Sequence, residues 1–313
     1  KAYTLLSEDF SDVLKVESPQ GFYRDNHVRI LLTLLHTAYQ TIFFFPGSFI
    51  KVRRRIREFR PDILITDAEP ISHIAARFHK IKRVSLDNPT ALIYRKISKR
   101  IWEYPAWLFL FFALKTSLLG AEKYLIYDFF EEQINNPRVL FLKPLIQPEI
   151  RQQISTQGNH FFVYQTSLTF SSLFVSLKKF DETFVIYGFD KDIVDENLIF
   201  KRFNNDEFFH DFSSAKAVIV NGGFSAISEA LYLKKPIFCL PIRHQFEQAF
   251  NAKCIEQMDV GVSHAKFCEN DLKDFLDILH CFQDPLKRYT PGNQEEILAR
   301  IEQEIQDIVA KKN

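Results

Sequence analysis

With 313 residues, the chain is long enough for about two domains with cores of ordinary size. Its 40 Lys and Arg residues almost balance its 39 Asp and Glu residues, so the general positive charge of a nucleic-acid-binding protein is excluded. An apolar content of 46% with 33 Phe residues excludes a disordered chain and predicts a packed globular protein.

The first half of the chain alternates apolar runs of strand length with helical patterns. The predicted strands are Lys1–Leu6, Ile63–Thr66, Val84–Leu86, Ala121–Tyr127 and Val139–Leu142. The predicted helices are Glu8–Leu14, Val28–Phe45, Ser48–Phe59 and Ile71–Phe78. This alternation predicts an α/β fold with a parallel sheet, whose ligands bind at the carboxyl ends of the strands. The loops starting at Asp67 and Asp87 follow strands at that edge.

The segment Tyr94–Leu119 departs from the alternating pattern. Four cations from Arg95 to Arg100 precede a run of Trp, Tyr, Leu and Phe that ends at Phe112. The apolar run is too short to span a bilayer. Two interpretations stay open: an ordinary buried helix, or a helix that rests on an anionic membrane surface, helped by the arginines at 53–57.

A second α/β series begins after a connector at 143–148. Its predicted strands are His160–Gln165, Thr183–Tyr187, Leu198–Lys201, Ala217–Val220 and Ile237–Leu240. Its predicted helices are Ser171–Phe180, Asp206–Ser213, Phe224–Leu233, one that ends near Met258, Asp271–Cys281 and Gln294–Ala310. The four cysteines, at 239, 254, 268 and 281, are too widely spaced for a zinc or redox motif, which favours free thiols in a reducing cytoplasm.

The most informative stretch is the strand–Gly-Gly–helix unit of 217–233. Asn221-Gly222-Gly223 forms the turn, and the first amides of the following helix point outward beside its positive dipole end. We expect a phosphate to bind there, and Glu229, in the first two turns of the helix, to accept hydrogen bonds from ribose hydroxyls. The alternative is a simple tight turn with Glu229 as a solvated helix residue.

Several motifs together resemble the donor-binding half of GT-B glycosyltransferases. They are Asn221–Ser225, Ser228–Leu231, Lys235-Pro236, Gln245–Gln248 and Asn251-Ala252. The chain looks closest to a group of UDP-sugar transferases related to family 28, which includes the lipid-linked N-acetylglucosaminyltransferase of peptidoglycan synthesis. The segments 60–70 and 85–88 also resemble the amino-terminal half of that group.

The resemblance implies two Rossmann-like domains that face each other across a cleft. It divides the chain into an acceptor domain at 1–145, a donor domain at 146–293 and a last helix at 294–313 that packs back on the first domain. It implies a UDP-sugar as donor substrate, with no cofactor and no metal. The donor contacts that it implies are Ser167, Phe203, Asn204, Asn221, Gly222, Gly223, Phe224, Ser225, Glu229, His244, Gln245 and Gln248.

Within that set, residues 222–225 would hold the diphosphate, and Phe203 and Asn204 would meet the base. Gln245 and Gln248 would bind the sugar, and for His244 an exposed loop position is the alternative. One departure concerns the amino terminus, where the group has a first strand, a Gly-x-Gly-His loop and a helix that this sequence lacks. Either those residues are missing from the chain in hand, or the protein has lost them and is inactive.

Sugar transfer also needs a base to deprotonate the acceptor hydroxyl. Asp67 and Glu69, at the carboxyl end of a strand in the acceptor domain, are the candidates, although Asp67 could instead cap the helix Ile71–Phe78. Direct displacement with inversion follows by analogy only. The acceptor is expected to be a lipid-linked or cell-envelope glycan, with peripheral contact to the inner face of an anionic membrane. The competing functions are a nucleotide-sugar 2-epimerase and an inactive nucleotide-sugar-binding subunit.

Overall fold

The chain folds around two separate β-sheets covered by helices, in a computed structural model that describes residues 10, 12–16, 23–24, 26–95, 104–165 and 171–311. The elements of the first half are β1 (Tyr23–Arg24), β2 (His27–Val28), α1 (Ile30–Phe43), α2 (Phe45–Phe59), β3 (Ile63–Thr66), α3 (Pro70–Phe78), β4 (Lys82–Asp87), α4 (Ala91–Tyr94), α5 (Tyr104–Ser117), β5 (Lys123–Tyr127) and β6 (Val139–Leu142).

The elements of the second half, in chain order, complete the fold. They are α6 (Pro148–Arg151), β7 (His160–Tyr164), α7 (Ser171–Leu177), β8 (Thr183–Tyr187), β9 (Ile193–Asp195), β10 (Leu198–Phe200), α8 (Asn205–Ser213), β11 (Ala217–Val220), α9 (Phe224–Tyr232), β12 (Ile237–Cys239), α10 (Phe246–Gln257), β13 (Gly261–Ser263), α11 (Glu269–Asp277), a 3₁₀ turn (Leu279–Phe282), α12 (Gln283–Arg288) and α13 (Gln294–Ala310).

The first-half sheet has the order β3-β4-β5-β6 in the described part of the chain, and all of its pairs are parallel. The last helix, α13, lies across it. Ile297, Ile301 and Ile308 fall on one face of α13 because they repeat at helical spacing, and they pack in one apolar cluster with Val84 and Leu125. The Lys123 ammonium also pairs with Glu304 of α13 at 2.8 Å.

The second-half sheet has the order β13-β12-β11-β7-β8-β10-β9 among the described residues. Its pairs are parallel except that of β9 with β10. All four residues of β11 are buried, as expected for a central strand with helices on both faces. The two parallel sheets confirm the predicted α/β fold.

The two halves are joined by an aromatic contact and by a hydrogen bond from an arginine of the first half to a cysteine of the second. Phe129, which follows β5, packs on Phe224 at the start of α9, with ring centroids 4.8 Å apart. The Arg95 guanidinium pairs with Asp128 at 2.9 Å and also donates to the Cys254 sulfur of α10 over 3.3 Å. The carboxyl ends of the two sets of strands therefore face a common cleft.

Some predicted elements differ from the structure. In the predicted helix Glu8–Leu14, residues 12–14 have no regular structure, because Asp12 instead pairs with Arg55 of α2 and Leu14 lies in an apolar groove beside β3. Pro46 and Gly47 were predicted to lie between two helices. They lie instead in the first turn of α2, where a proline fits. The predicted strand Lys1–Leu6 lies outside the described residues.

Candidate active site

The Gly-Gly turn presents free main-chain amides to the cleft. Gly223 is the N-cap of α9, and no side chain caps that helix. The N–H groups of 224–226 therefore have no intrahelical partner, and no hydrogen bond from them to another described residue is found. A Cβ on Gly223 would meet no atom within 4 Å, and Ser225 is exposed. This turn has the geometry and the dipole of an anion site.

Gly222 has a different task from Gly223. A Cβ at Gly222 would lie 2.4 Å from the main-chain oxygen of Gln248, so only glycine lets α10 approach the turn. The Gly222 N–H donates to Gln248 Oε1 over 3.3 Å, and the Gly222 carbonyl accepts from Asn251 Nδ2 over 3.0 Å. The turn is thus clamped from behind by two amide side chains, of which Asn251 was not among the predicted site residues.

This clamp engages one atom of each of two predicted donor contacts. Gln248 Oε1 also accepts the Ile242 N–H over 2.8 Å, so this side-chain oxygen accepts two main-chain N–H groups. Because the Gly222 N–H is paired as well, the diphosphate would meet the amides that follow it. The predicted contacts of Gln248 with the donor sugar and of Gly222 with the diphosphate stay predictions.

Glu229 lies at the edge of the anion site as a buried carboxylate. Its side chain is 7% exposed and has no hydrogen-bond or ion-pair partner among the described residues. Burial, and after it the charge of Glu149, raise the pKa of Glu229 to about 7. Burial and then the charge of Glu229 raise the pKa of Tyr164, which lies at the carboxyl end of β7. The Glu229 carboxylate, without a partner among the described residues, has the chemistry to accept hydrogen bonds from two neighbouring hydroxyl groups.

The two residues predicted to contact the nucleobase, Phe203 and Asn204, have different environments. Phe203 is 59% exposed and packs on Phe208, with centroids 4.9 Å apart. Tyr164 packs on the same Phe208 ring at 5.5 Å, so an aromatic surface leads away from Glu229. The Asn204 side chain instead caps α8 and accepts the Asp206 N–H over 3.1 Å. Ser167 lies outside the described residues.

The two predicted catalytic carboxylates have different environments. Glu69, and not Asp67, is the N-cap of α3, since its two oxygens accept the N–H groups of Ile71 and Ser72, each over 2.7 Å. The cap considered for Asp67 therefore belongs to Glu69, whose oxygens are both engaged. Burial and then the charge of Asp87 raise the pKa of Asp67, which keeps access to solvent.

Two further carboxylates, Asp87 from the first half and Glu247 from the second, lie within electrostatic range of Asp67. Asp87 ends β4, is buried, and accepts the Thr90 N–H over 2.7 Å and the Ser85 hydroxyl. Glu247 lies in the first turn of α10, and burial, followed by the charges of Asp67 and Asp87, raises its pKa to about 6.

Neither Asp87 nor Glu247 was predicted as a site residue. The position of Asp87 after a strand, like that of Asp67, was the signal that could have found it. Among the described residues, no group of three or more His, Cys, Asp or Glu side chains is arranged to hold a metal ion.

His244 and Gln245 lie in the loop between β12 and α10. His244 is exposed and has a left-handed backbone with φ 65°. Burial lowers the pKa of His244, and the neighbouring His27 and Arg243 lower it further. Gln245 is the N-cap residue of α10, but its side chain makes no cap bond, and its Oε1 is buried without a hydrogen-bond partner. The predicted contact of Gln245 with the donor sugar stays a prediction.

Solved structures of similar fold are glycosyltransferases. Phytolacca americana UGT2, complexed with UDP-2-fluoro-glucose and pterostilbene, is 14% identical with a TM-score of 0.60, over 92% of this chain and 85% of that chain. Acinetobacter baumannii MurG is 11% identical with a TM-score of 0.56, over 96% and 87%. The Streptomyces sp. SF2575 glycosyltransferase SsfS6, complexed with thymidine diphosphate, is 11% identical with a TM-score of 0.54, over 84% and 74%.

These neighbours have the GT-B fold with two Rossmann-like domains, which agrees with the fold class predicted from the sequence. No curated protein shows a significant sequence match to the chain. The family-model match does not single out family 28, so that closer kinship is not confirmed. The match, described as glycosyl transferase family 1, extends over residues 1–280, and the chain therefore belongs to this family of glycosyltransferases.

Proposed function

We propose that the protein transfers a sugar from a nucleoside diphosphate, most simply UDP, to a hydroxyl acceptor. The observation that carries the proposal is the combination on one helix, α9, of free amides at its start and the unpaired carboxylate of Glu229. Amides without partners bind the diphosphate, and a buried acceptor binds the ribose diol. The exposed ring of Phe203 gives the base an aromatic surface.

The choice of UDP is supported by the ligand of the Phytolacca americana enzyme, UDP-2-fluoro-glucose. The thymidine diphosphate bound to SsfS6 makes a thymidine nucleotide the alternative base. A thermal-shift series with UDP, thymidine diphosphate and ADP separates these cases. A specific nucleotide at a hundred times its dissociation constant adds about 2.7 kcal/mol of stability. No response to any nucleoside diphosphate would overturn the proposed function.

The proposed mechanism is a direct displacement at the anomeric carbon. The dipole of α9 and its free amides stabilise the leaving diphosphate without a metal ion. Asp67 accepts the proton of the attacking hydroxyl, and its raised pKa makes it a stronger base than an ordinary aspartate. Glu69 is excluded from this role because it caps α3. A single displacement inverts the anomeric centre, which NMR of the product can test.

The proposed acceptor is a lipid-linked glycan of the cell envelope, reached at the cytoplasmic face of an anionic membrane. On α5, Leu108 and Phe112 are 42% and 59% exposed, and Lys115 lies on the same helix. Exposed apolar residues also lie along α1, and α2 contains consecutive arginines at 53–55. Exposed apolar side chains with cations on the same or a neighbouring helix suit peripheral contact with anionic lipid. In the described part of the chain, no helix is long and apolar enough to cross a membrane.

A 2-epimerase is the second candidate, and the approach of Asp67, Asp87 and Glu247 favours it because an epimerase needs several acids and bases beside the sugar. Incubation with a UDP-sugar alone separates the two reactions. A transferase leaves the sugar configuration unchanged when no acceptor is present, whereas an epimerase equilibrates it. Nucleotide binding without either reaction would instead support the third reading, an inactive binding subunit.

A further inference from the structure

The short strand β2 contacts the loop that holds His244 and Gln245. The Val28 N–H donates to the Arg243 carbonyl over 3.0 Å, and the Arg243 N–H donates to the Asn26 carbonyl over 3.0 Å. These bonds form a parallel bridge between His27 and Arg243. The ring of His27 lies edge-on to that of His244, with centroids 4.4 Å apart. A segment of the first half of the chain is therefore paired with the donor-sugar loop.

The Asn26 side chain extends this contact into the donor site. It is 3% exposed, and its Nδ2 donates to the carbonyls of Leu240 and Pro241, each over 3.3 Å. Its Oδ1 accepts from Asn221 Nδ2 over 3.3 Å. Asn221 immediately precedes the Gly-Gly turn, and Leu240 follows β12. One buried amide thus bridges the two loops that flank the donor.

The backbone of Asn26 explains why asparagine stands there. Its φ is 55°, in the left-handed region that Asn tolerates better than most residues. The left-handed turn lets the main-chain carbonyl of Asn26 meet Arg243 while its side chain points towards Leu240. Glycine would keep this backbone and remove only the amide, so it separates the two contributions.

We propose that Asn26 is a positioning residue for the donor site, which holds the Gly-Gly turn and the His244 loop in the arrangement that binds the nucleotide sugar. The ligand named here rests on the proposed function. On its other side the loop is held by α10, through the Ile242 N–H on Gln248 Oε1 over 2.8 Å. Residues 26–28 supply the opposing contact, so the donor site is complete only when the first half of the chain is docked on the second.

The test compares Asn26→Gly with Lys80→Gly. Lys80 also has a left-handed backbone, with φ 56°, but it is exposed and its side chain makes no contact with the donor loops. For Asn26→Gly we expect the dissociation constant for UDP, measured by calorimetry, to rise about tenfold. The KM for the donor should rise likewise, while kcat at saturating donor changes less than about twofold. Lys80→Gly should leave both values at those of the wild type.

A second readout needs neither nucleotide nor activity. In the wild type, burial and then the charges of His27 and Arg243 lower the pKa of His244, so release of the loop in Asn26→Gly should move that pKa back towards its ordinary value. NMR titration of labelled histidine measures this, with His244→Gln to assign the signal. A purely structural role would lower the melting temperature and leave this pKa unchanged.

Asn26→Asp is the second variant, because it keeps the shape and the acceptor oxygen but removes both donations to main-chain carbonyls. We expect it to weaken UDP binding as well. The inference is overturned if folded Asn26→Gly and Asn26→Asp bind UDP within twofold of the wild type and keep the His244 titration. If the wild type binds no nucleoside diphosphate, the proposed function fails, and the His244 titration still tests the positioning role.

Discussion

Replacement of Glu229 by Gln is expected to stabilise the ligand-free protein while it weakens the binding of UDP. The side chain is 7% exposed and has no hydrogen-bond or ion-pair partner in the described part of the chain, so its charge is unfavourable in the empty site. Burial raises the pKa of Glu229 from an ordinary 4.5 to about 7. That difference corresponds to about 3 kcal/mol of free energy against the ionised form.

The sign of the pH dependence follows from the direction of this change. Because the folded-state pKa of Glu229 is above the unfolded value, the unfolded protein loses its proton first as the pH rises. The wild type therefore loses stability between about pH 4.5 and pH 7, and the loss is complete above pH 7. Glu229→Gln has no such slope, so at pH 8 it should be more stable than the wild type by up to about 3 kcal/mol.

Binding changes in the opposite direction. A hydrogen bond to a charged group contributes about 1.5–3 kcal/mol, and the neutral amide keeps only one acceptor oxygen. We expect the UDP dissociation constant at pH 8 to rise about tenfold to a hundredfold in Glu229→Gln. Wild-type affinity should also fall below pH 7 as Glu229 gains a proton. Ionisation of the diphosphate itself affects wild type and variant alike, so their difference isolates Glu229.

The measurements are urea unfolding and UDP titration at pH 5 and pH 8. Glu302→Gln is the matched control, because Glu302 is an exposed glutamate on α13, away from the cleft. The control should leave stability and affinity unchanged at both pH values. The reasoning is refuted if Glu229→Gln is less stable than the wild type at pH 8, or if its affinity for UDP equals that of the wild type.

Three further predictions concern other parts of the site. Asp67→Asn should lower kcat about a hundredfold or more without changing UDP affinity, which steady-state kinetics and calorimetry can check; an unchanged kcat would remove Asp67 as the base. Gly222→Ala should destabilise the protein by about 1–3 kcal/mol, since its Cβ would overlap the Gln248 carbonyl, whereas Gly223→Ala has open space; equal unfolding midpoints for the two would contradict this. The double variant Leu108→Ser with Phe112→Ser should no longer sediment with anionic liposomes at low salt. The control Val175→Ser, at an exposed apolar residue of α7, should sediment like the wild type. If the double variant still sediments, α5 is not the membrane contact.

Local sequence was sufficient for the central strand and the last helix. The predicted bounds of β11 and α13, Ala217–Val220 and Gln294–Ala310, are those observed. β11 is a continuous apolar run that ends at the Gly-Gly turn, and α13 keeps one helical period from its cap at Asn293. The end of the predicted helix Asp271–Cys281 was wrong. The α-helix ends at Asp277 and is followed by a 3₁₀ turn, although the apolar pattern continues through both.

The site residues divide in the same way. The Gly-Gly turn and Glu229 could be named from spacing along one helix, because both belong to a local unit. The engagement of Gln248 by Gly222, the capping of α3 by Glu69 and the approach of Glu247 to Asp67 could not be read from the chain. Each depends on how close two segments distant in sequence come in space.

The α/β alternation, the Gly-Gly turn before α9 and the acidic residue on that helix could be predicted from the sequence, because periodicity and turn chemistry act over a few neighbouring residues. Which of these groups are left unpaired depends on contacts between segments that are distant in the sequence. Gly223 faces open space, whereas Gly222 is in close contact with the main chain of α10. Asn26, from the first half of the chain, accepts a hydrogen bond from Asn221 beside the Gly-Gly turn. Hydrogen bonding and burial determine which groups stay unpaired, and these contacts form only when the two sheets dock at their carboxyl edges.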